Sequence, residues 1–225
     1  MSTPAAPSAS DILAVISKEI TGIQLLWAAV EQMYFKAQPA QGIAALERDT
    51  PLLFRLMQTA MMESLLTRMS RLMDPAVSGR GAGEKPNVGL ARLAEADASL
   101  LGEVGSVRSV WDASALRLIR DKYLSHNDLA RATTQAHTLN IPLSSPDIDA
   151  MRALTSALRD FCRDVHQKLN GSVYLDQSVS AQMVCEIDAL NRSLIAGDCF
   201  YKLLPDHACL QDALAVVESD GTPNP

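Results

Sequence analysis

Apolar residues along this chain recur every three or four positions, and that spacing predicts helix after helix. Ile12, Val15, Ile16, Ile20, Ile23, Leu26, Trp27, Val30 and Tyr34 form one face over about six turns, with Ser10 or Asp11 as the cap. Pro39 and Gly42 follow its end. Thr50-Pro51 opens a second helix, with Leu53, Leu56, Met57, Ala60, Met61, Leu65, Met69 and Leu72 in step up to Asp74-Pro75. Its methionines read as core filling. A short helix is expected around Leu90 to Ala96. A longer one should run from about Leu100 to Ser125 on Val104, Val107, Trp111, Ala115, Leu118 and Ile119. After a linker over 132–146, Ser144, Ser145 or Asp147 caps a helix carrying Ile148, Met151, Leu154, Leu158, Phe161 and Val165, which Asn170-Gly171 ends. Another helix is expected near 177–195 on Val179, Met183, Ile187, Leu190 and Leu194, and a last short one over 207–217. No repeat, no sustained heptad and no alternation long enough for a sheet interrupts this series. The fold class is all-α, a helical bundle.

The expected organisation is a flexible N-terminal tail over 1–10, a single helical domain over 11–217, and a flexible tail over 218–225. Within the domain, 11–170 forms the core and 177–217 a C-terminal helical extension. Residues 74–89 are rich in Gly and Pro and match no phosphate-binding glycine fingerprint, so they read as a mobile loop. A phosphate-gripping role for Arg80 and Lys85 is the alternative. No stretch of 18 consecutive apolar residues and no signal peptide is present, so neither a membrane span nor secretion is expected. The expected location is cytoplasmic.

Composition narrows the function classes. Aromatics are 4% of the 225 residues, and net charge is −6. That excludes a protein that coats nucleic acid with an overall basic surface, but not a local basic site. Residues 108–131 carry such a site: Arg108, Arg117, Arg120, Lys122 and Arg131 against Asp112, Asp121 and Asp128. A solvated helix face is the plainer reading of that run. Cys162, Cys185, Cys199 and Cys209 form no C-x-x-C pair and read as buried free thiols; a zinc site using His166 or His207 is the alternative, to which the spacing gives little support, and no metal is expected.

The stretch Arg120-Asp121-Lys122-Tyr123-Leu124-Ser125-His126-Asn127-Asp128 holds the groups needed to move a proton beside a phosphate without a metal. In a regular helix, residues six apart are rotated by about 240° and rise by about 9 Å. Arg120 and His126 therefore converge only if Arg120 stretches, if the helix loosens near Ser125, or if a second copy supplies one group. Ser125, Asn127 and Asp128 favour a helix end there, where a protonated imidazole is stabilised. An ordinary Arg120–Asp121 ion pair, with His126 as a cap or surface group, is the competing reading.

Arg120, the polar Asp121 after it and His126 six positions on resemble the R-x(4–6)-H signature of the HEPN superfamily. Together with Leu66-Thr67-Arg68-Met69-Ser70-Arg71-Leu72-Met73-Asp74-Pro75 and the glycine-rich loop that follows, they resemble its AbiU-type abortive-infection branch over roughly residues 10–170. The resemblance implies an up-down bundle that dimerises so that two motifs face one cleft. It implies metal-independent cleavage of single-stranded RNA in a defence or toxin setting, with no cofactor. His126 would be the acid–base group, Arg120 would hold the scissile phosphate, and Asp121 would orient one of them. Lys122, Arg117 and Arg131 would attract the RNA backbone. An antitoxin or regulatory partner belongs to that setting. The alternative is an inactive HEPN-like module that binds a nucleotide or a partner protein, or a helical scaffold.

Overall fold

Ser8 and Asp11 start the first helix. Asp11 N–H donates to Ser8 Oγ at 3.2 Å and Ser8 N–H donates to Asp11 Oδ2 at 3.0 Å, which closes a capping box. The cap thus lies two residues before the expected Ser10, and Asp11 is its return partner. Hydrogen bonds from Ser8 hold the Asp11 carboxyl below the usual carboxylate range. In the computed structural model, residues 7–36, 40–79, 84–121, 143–172, 174 and 177–203 are described.

Among those residues the element order is α1 (Ala9–Tyr34), α2 (Gln41–Asp49), α3 (Pro51–Met73), a two-strand hairpin β1 (Val77–Ser78) and β2 (Lys85–Pro86), then α4 (Leu90–Ala96). A single 3-10 turn (Ala98–Leu100) leads into α5 (Leu101–Asp112) and α6 (Leu116–Arg120), followed by α7 (Ser145–Asn170) and α8 (Gln177–Leu203). The molecule is an all-α bundle.

α1 is its spine. Ile12, Leu13, Ile16, Ile20, Ile23, Trp27 and Val30 are buried against Leu65, Leu66, Met69 and Leu72 of α3 and Met151, Leu154, Leu158, Phe161 and Val165 of α7. Both neighbours run antiparallel to it. Glu19 pairs with Arg68 at 2.9 Å while the Tyr34 ring lies 4.7 Å from Phe54 near the start of α3. Ser10 meets Asn170, Ser17 meets His166, and Glu31 meets Arg152. By length and composition α1 could cross a membrane. Here its apolar face is the centre of the bundle, and Glu19 and Glu31 are held by cations of the flanking helices.

Besides Val15 of α1 and Leu190 of α8, which are exposed, the structure departs from the periodicity in four places. The run from Leu100 to Ser125 is not one helix as far as Asp121. Ser114 Oγ donates to Trp111 O at 2.6 Å and accepts from Leu116 N–H at 3.4 Å, a local alternative to the helical ladder. The chain breaks at 113–115 and α6 restarts in a new rotation, burying Leu116 and Ile119 and leaving Ala115 and Leu118 exposed. Second, Leu53, Leu56 and Ala60 are exposed, because the first turns of α3 turn Phe54 inward onto α2 and α8. Third, α2 was not expected between Pro39 and Thr50. Its Gly42 lies against α8, where Asn191 Oδ1 accepts from Gly42 N–H at 2.7 Å. Fourth, α8 reaches Leu203, eight residues beyond its expected end.

Other boundaries agree. Thr50-Pro51 opens α3, and Asp147 accepts from Ser144 N–H at 2.8 Å where α7 begins. Gly171, at φ 59, ends α7 in the left-handed conformation that favours glycine. In the 74–89 segment the ladder pairs Val77 with Pro86 and Ser78 with Lys85; Arg80 lies outside the described residues, as does the expected helix over 207–217. Cys162 is buried as expected, whereas Cys185 is exposed on α8. The described residues contain no cluster of three His, Cys, Asp or Glu side chains placed to hold a metal ion.

A polar seam crosses the α1–α7 contact. Ser17 Oγ lies 2.8 Å from His166 Nε2, Cys162 Sγ donates to Ser17 Oγ at 3.3 Å, and the His166 ring stacks on Tyr174 at 5.3 Å. Burial lowers the His166 imidazole below its ordinary value, so the folded chain favours the neutral ring. Above about pH 6.5 folded and unfolded rings are both neutral and this contribution is complete. Below it, the unfolded ring binds a proton first, so stability falls until the folded ring is protonated too. Urea unfolding from pH 7.5 to 5.5 should show that loss, and His166→Gln should flatten the part of the slope that lies near pH 6.

A methyl group added at Gly42 would lie 2.6 Å from Asn191 O and 2.8 Å from Leu194 Cβ. Gly42→Ala should therefore push α8 off α2 at a cost of about 1–3 kcal/mol. Faster amide exchange in α8, with α1 and α7 unchanged, is the expected readout.

Candidate functional site

α3 ends at Met73 with carbonyls that need donors. Arg108, on α5, meets that need: its Nη2 donates to Met73 O at 3.2 Å and reaches Asp74 O at 3.5 Å. A cation at a helix C-terminus is also favoured by the aligned backbone dipoles. Asn87 then pins the returning hairpin, donating from its backbone to Ala76 O and from its side chain to Pro75 O. Gly89 brings the chain so close to α3 that an added Cβ would lie 2.9 Å from Leu72 O. The α3 terminus, the hairpin stem and α5 are thus tied together.

A cleft of about 250 Å³ opens beside this junction, lined among others by Asp74, Arg108, Trp111, Asp112, Arg117 and Arg120. The Ser114 break places α6 on its wall. Arg117 and Arg120 are three apart on α6, so they share a side of the helix. Asp121 lies between their guanidinium groups: Arg120 Nη1 to Oδ1 is 2.8 Å, and Arg117 Nε to Oδ2 is 4.0 Å. Arg117 projects into solvent, whereas about a third of the Arg120 side chain is exposed. Arg108 is deeper still, and its Nε is buried without a hydrogen-bond partner.

Three guanidinium groups stand against the carboxylates of Asp74 and Asp112 in the cleft lining, and Asp121 pairs with two of them, so the formal charges around the cleft balance. Planar guanidinium forks suit a phosphate, because they offer paired donors at fixed geometry. Asp121 occupies one Nη of Arg120 and holds that side chain over the cleft. The Trp111 ring supplies an apolar wall.

Of the residues singled out in the sequence, Arg117, Arg120 and Asp121 come together here. Lys122, His126 and Arg131 lie outside the described residues. Arg108 had been counted only as one charge of a basic run. Its contact with α3 joins positions 34 and 35 residues apart, which no local pattern reveals. His166 belongs to the α1–α7 seam and not to the cleft.

No curated protein matches the chain, and no solved structure does. The family model described as AbiU2, a HEPN family, matches residues 8–185, which take in every helix from α1 to α7, the start of α8, and the whole arginine cleft. This chain belongs to the HEPN AbiU2 family.

Proposed function

We propose that the chain is a metal-independent endoribonuclease of a defence type, acting on single-stranded RNA. The observation that carries this reading is the convergence of Arg108, Arg117 and Arg120 on one cleft, with Asp121 holding Arg120. In the proposed reaction the His126 imidazole takes the proton of a ribose 2′-hydroxyl. The 2′-oxygen attacks the adjacent phosphorus, the bond to the 5′-oxygen breaks, and that oxygen takes a proton from an imidazolium. A 2′,3′-cyclic phosphate and a 5′-hydroxyl result. Arg120 offsets the charge that builds on the phosphoryl oxygens. Arg117, Lys122 and Arg131 hold flanking phosphates. A single-stranded target fits this chemistry because an unpaired 2′-hydroxyl can swing into line. A homodimer, in which two motifs face each other about a two-fold axis, provides the second imidazole.

A second reading has one observation in its favour. Asp74 and Asp112 stand in the same cleft and oppose a polyanion. A non-catalytic module that takes a nucleotide or a regulatory protein accommodates those carboxylates more easily.

Cleavage of a mixed single-stranded RNA in EDTA separates the two. Under the first reading, wild type cleaves, His126→Ala loses about 10²–10⁴-fold, and Arg120→Ala loses about 10²–10³-fold. Asp121→Asn should lose less, since it keeps an acceptor for Arg120. Cleavage undiminished in His126→Ala removes that residue from the mechanism. Binding without turnover in wild type favours the second reading.

A further inference from the structure

Gln24 is 3% exposed, and neither its amide oxygen nor its amide nitrogen has a hydrogen-bond partner. A buried carboxamide left wholly unpaired is costly, and folded proteins rarely keep one without a use. This one lies on the wall of a cavity of about 370 Å³, inside the roughly 300–1,000 Å³ range of small-molecule sites.

The cavity arises from two matched stripes. Gln24, Trp27, Ala28 and Glu31 follow one another at helical spacing on α1, and Arg152, Thr155, Ser156 and Arg159 do so on α7. The helices are antiparallel, and Glu31 pairs with Arg152 at 2.8 Å. One ladder of facing positions therefore runs from that pair to Gln24 and Arg159. Val184 of α8 closes the side. The chemistry is graded. Gln24, Trp27 and Thr155 are buried, and the Thr155 hydroxyl is already used on Met151 O. Glu31, Arg152 and Arg159 retain partly exposed side chains, and Arg159 Nη2 donates to Ser156 Oγ at 3.2 Å. The buried floor thus carries one neutral donor–acceptor pair beside an indole, and the exposed rim carries the Glu31–Arg152 ion pair at one end of the ladder and Arg159, level with Gln24, at the other.

We propose that this cavity binds a planar heterocycle with a lactam edge, uracil-like or guanine-like, bearing an anionic substituent. An adjacent N–H and C=O on the ligand pair with the amide oxygen and nitrogen of Gln24. The ring lies beside Trp27, and the anion sits near Arg159. On the floor formed by Gln24, Trp27 and Thr155 a carboxylate or ammonium would be buried among uncharged side chains, so a neutral edge is required there. The site shares no residue with the arginine cleft and does not depend on the ribonuclease reading.

The test uses the full chain carrying Arg120→Ala, so that phosphate binding in the other cleft is weakened. Calorimetry with uridine monophosphate and guanosine monophosphate should show saturable binding of at least one. N3-methyluridine monophosphate, which lacks the lactam N–H, should bind at least tenfold more weakly than its parent, and the Gln24 side-chain amide resonances should shift with ligand. Gln24→Leu should abolish binding while the melting temperature stays equal or rises, because the unpaired amide is gone. No heat with either nucleotide at millimolar concentration overturns the proposal. So does equal binding of the N3-methyl analogue, or unchanged affinity in folded Gln24→Leu. If Gln24→Leu does not fold, the N3-methyl comparison decides alone.

Discussion

Helix α1 must bury apolar side chains against α3 on one flank and α7 on the other, and the remaining architecture follows from that demand. Apolar burial alone is non-directional and does not set how far each neighbour slides along α1. Polar pairs supply the register. Glu19–Arg68 fixes α3, while Ser17–His166 and Glu31–Arg152 fix α7 at two levels. Lys168 extends the lock to α5 by donating to Ser99 O and to Glu103, and that contact holds the Glu103 carboxyl below its usual range. Most of these ion pairs are partly exposed and contribute little stability singly. Their value lies in excluding shifted packings that would bury the same area.

The arginine cleft is a product of this register. With α3 set against the spine and α5 against α7, the last carbonyls of α3 fall beside Arg108. The interruption at Ser114 then turns α6 so that Leu116 and Ile119 face inward, and Arg117 and Arg120 line the opening. A continuous helix would have kept the rotation of α5 and placed these side chains elsewhere. The motif therefore depends on one serine hydroxyl that competes with the backbone ladder.

Much of this was legible in the chain. Apolar spacing located α1, α3, α4 and α7, because α1, α4 and α7 bury a stripe along their length and α3 does so from Met62 onward, and the Thr50-Pro51, Ser144 and Asn170-Gly171 signals marked real helix ends. What escaped depended on distant contacts or on a single polar side chain. α2 is short, and only Gly42 and Ile43 are buried in it, so no stripe announces it. The break at Ser114 carries no proline or glycine. Leu53 and Leu56 kept the period of a buried face while lying outside the contact with α1. Of the site, the basic segment and the Arg120–Asp121 pairing could be read from adjacency. The role of Arg108 could not, since its partners come from another helix.

Arg108 closes the end of α3 and lines the cleft with the same guanidinium group. Any anion that draws on its donors competes with, or reinforces, its hold on the Met73 and Asp74 carbonyls. Occupancy and the fraying of the final turn of α3 are consequently two views of one equilibrium, and each must alter the other by the same free energy. The hairpin stem from Val77 to Pro86 hangs from that turn. Whatever fills the opening is thereby transmitted to that stem.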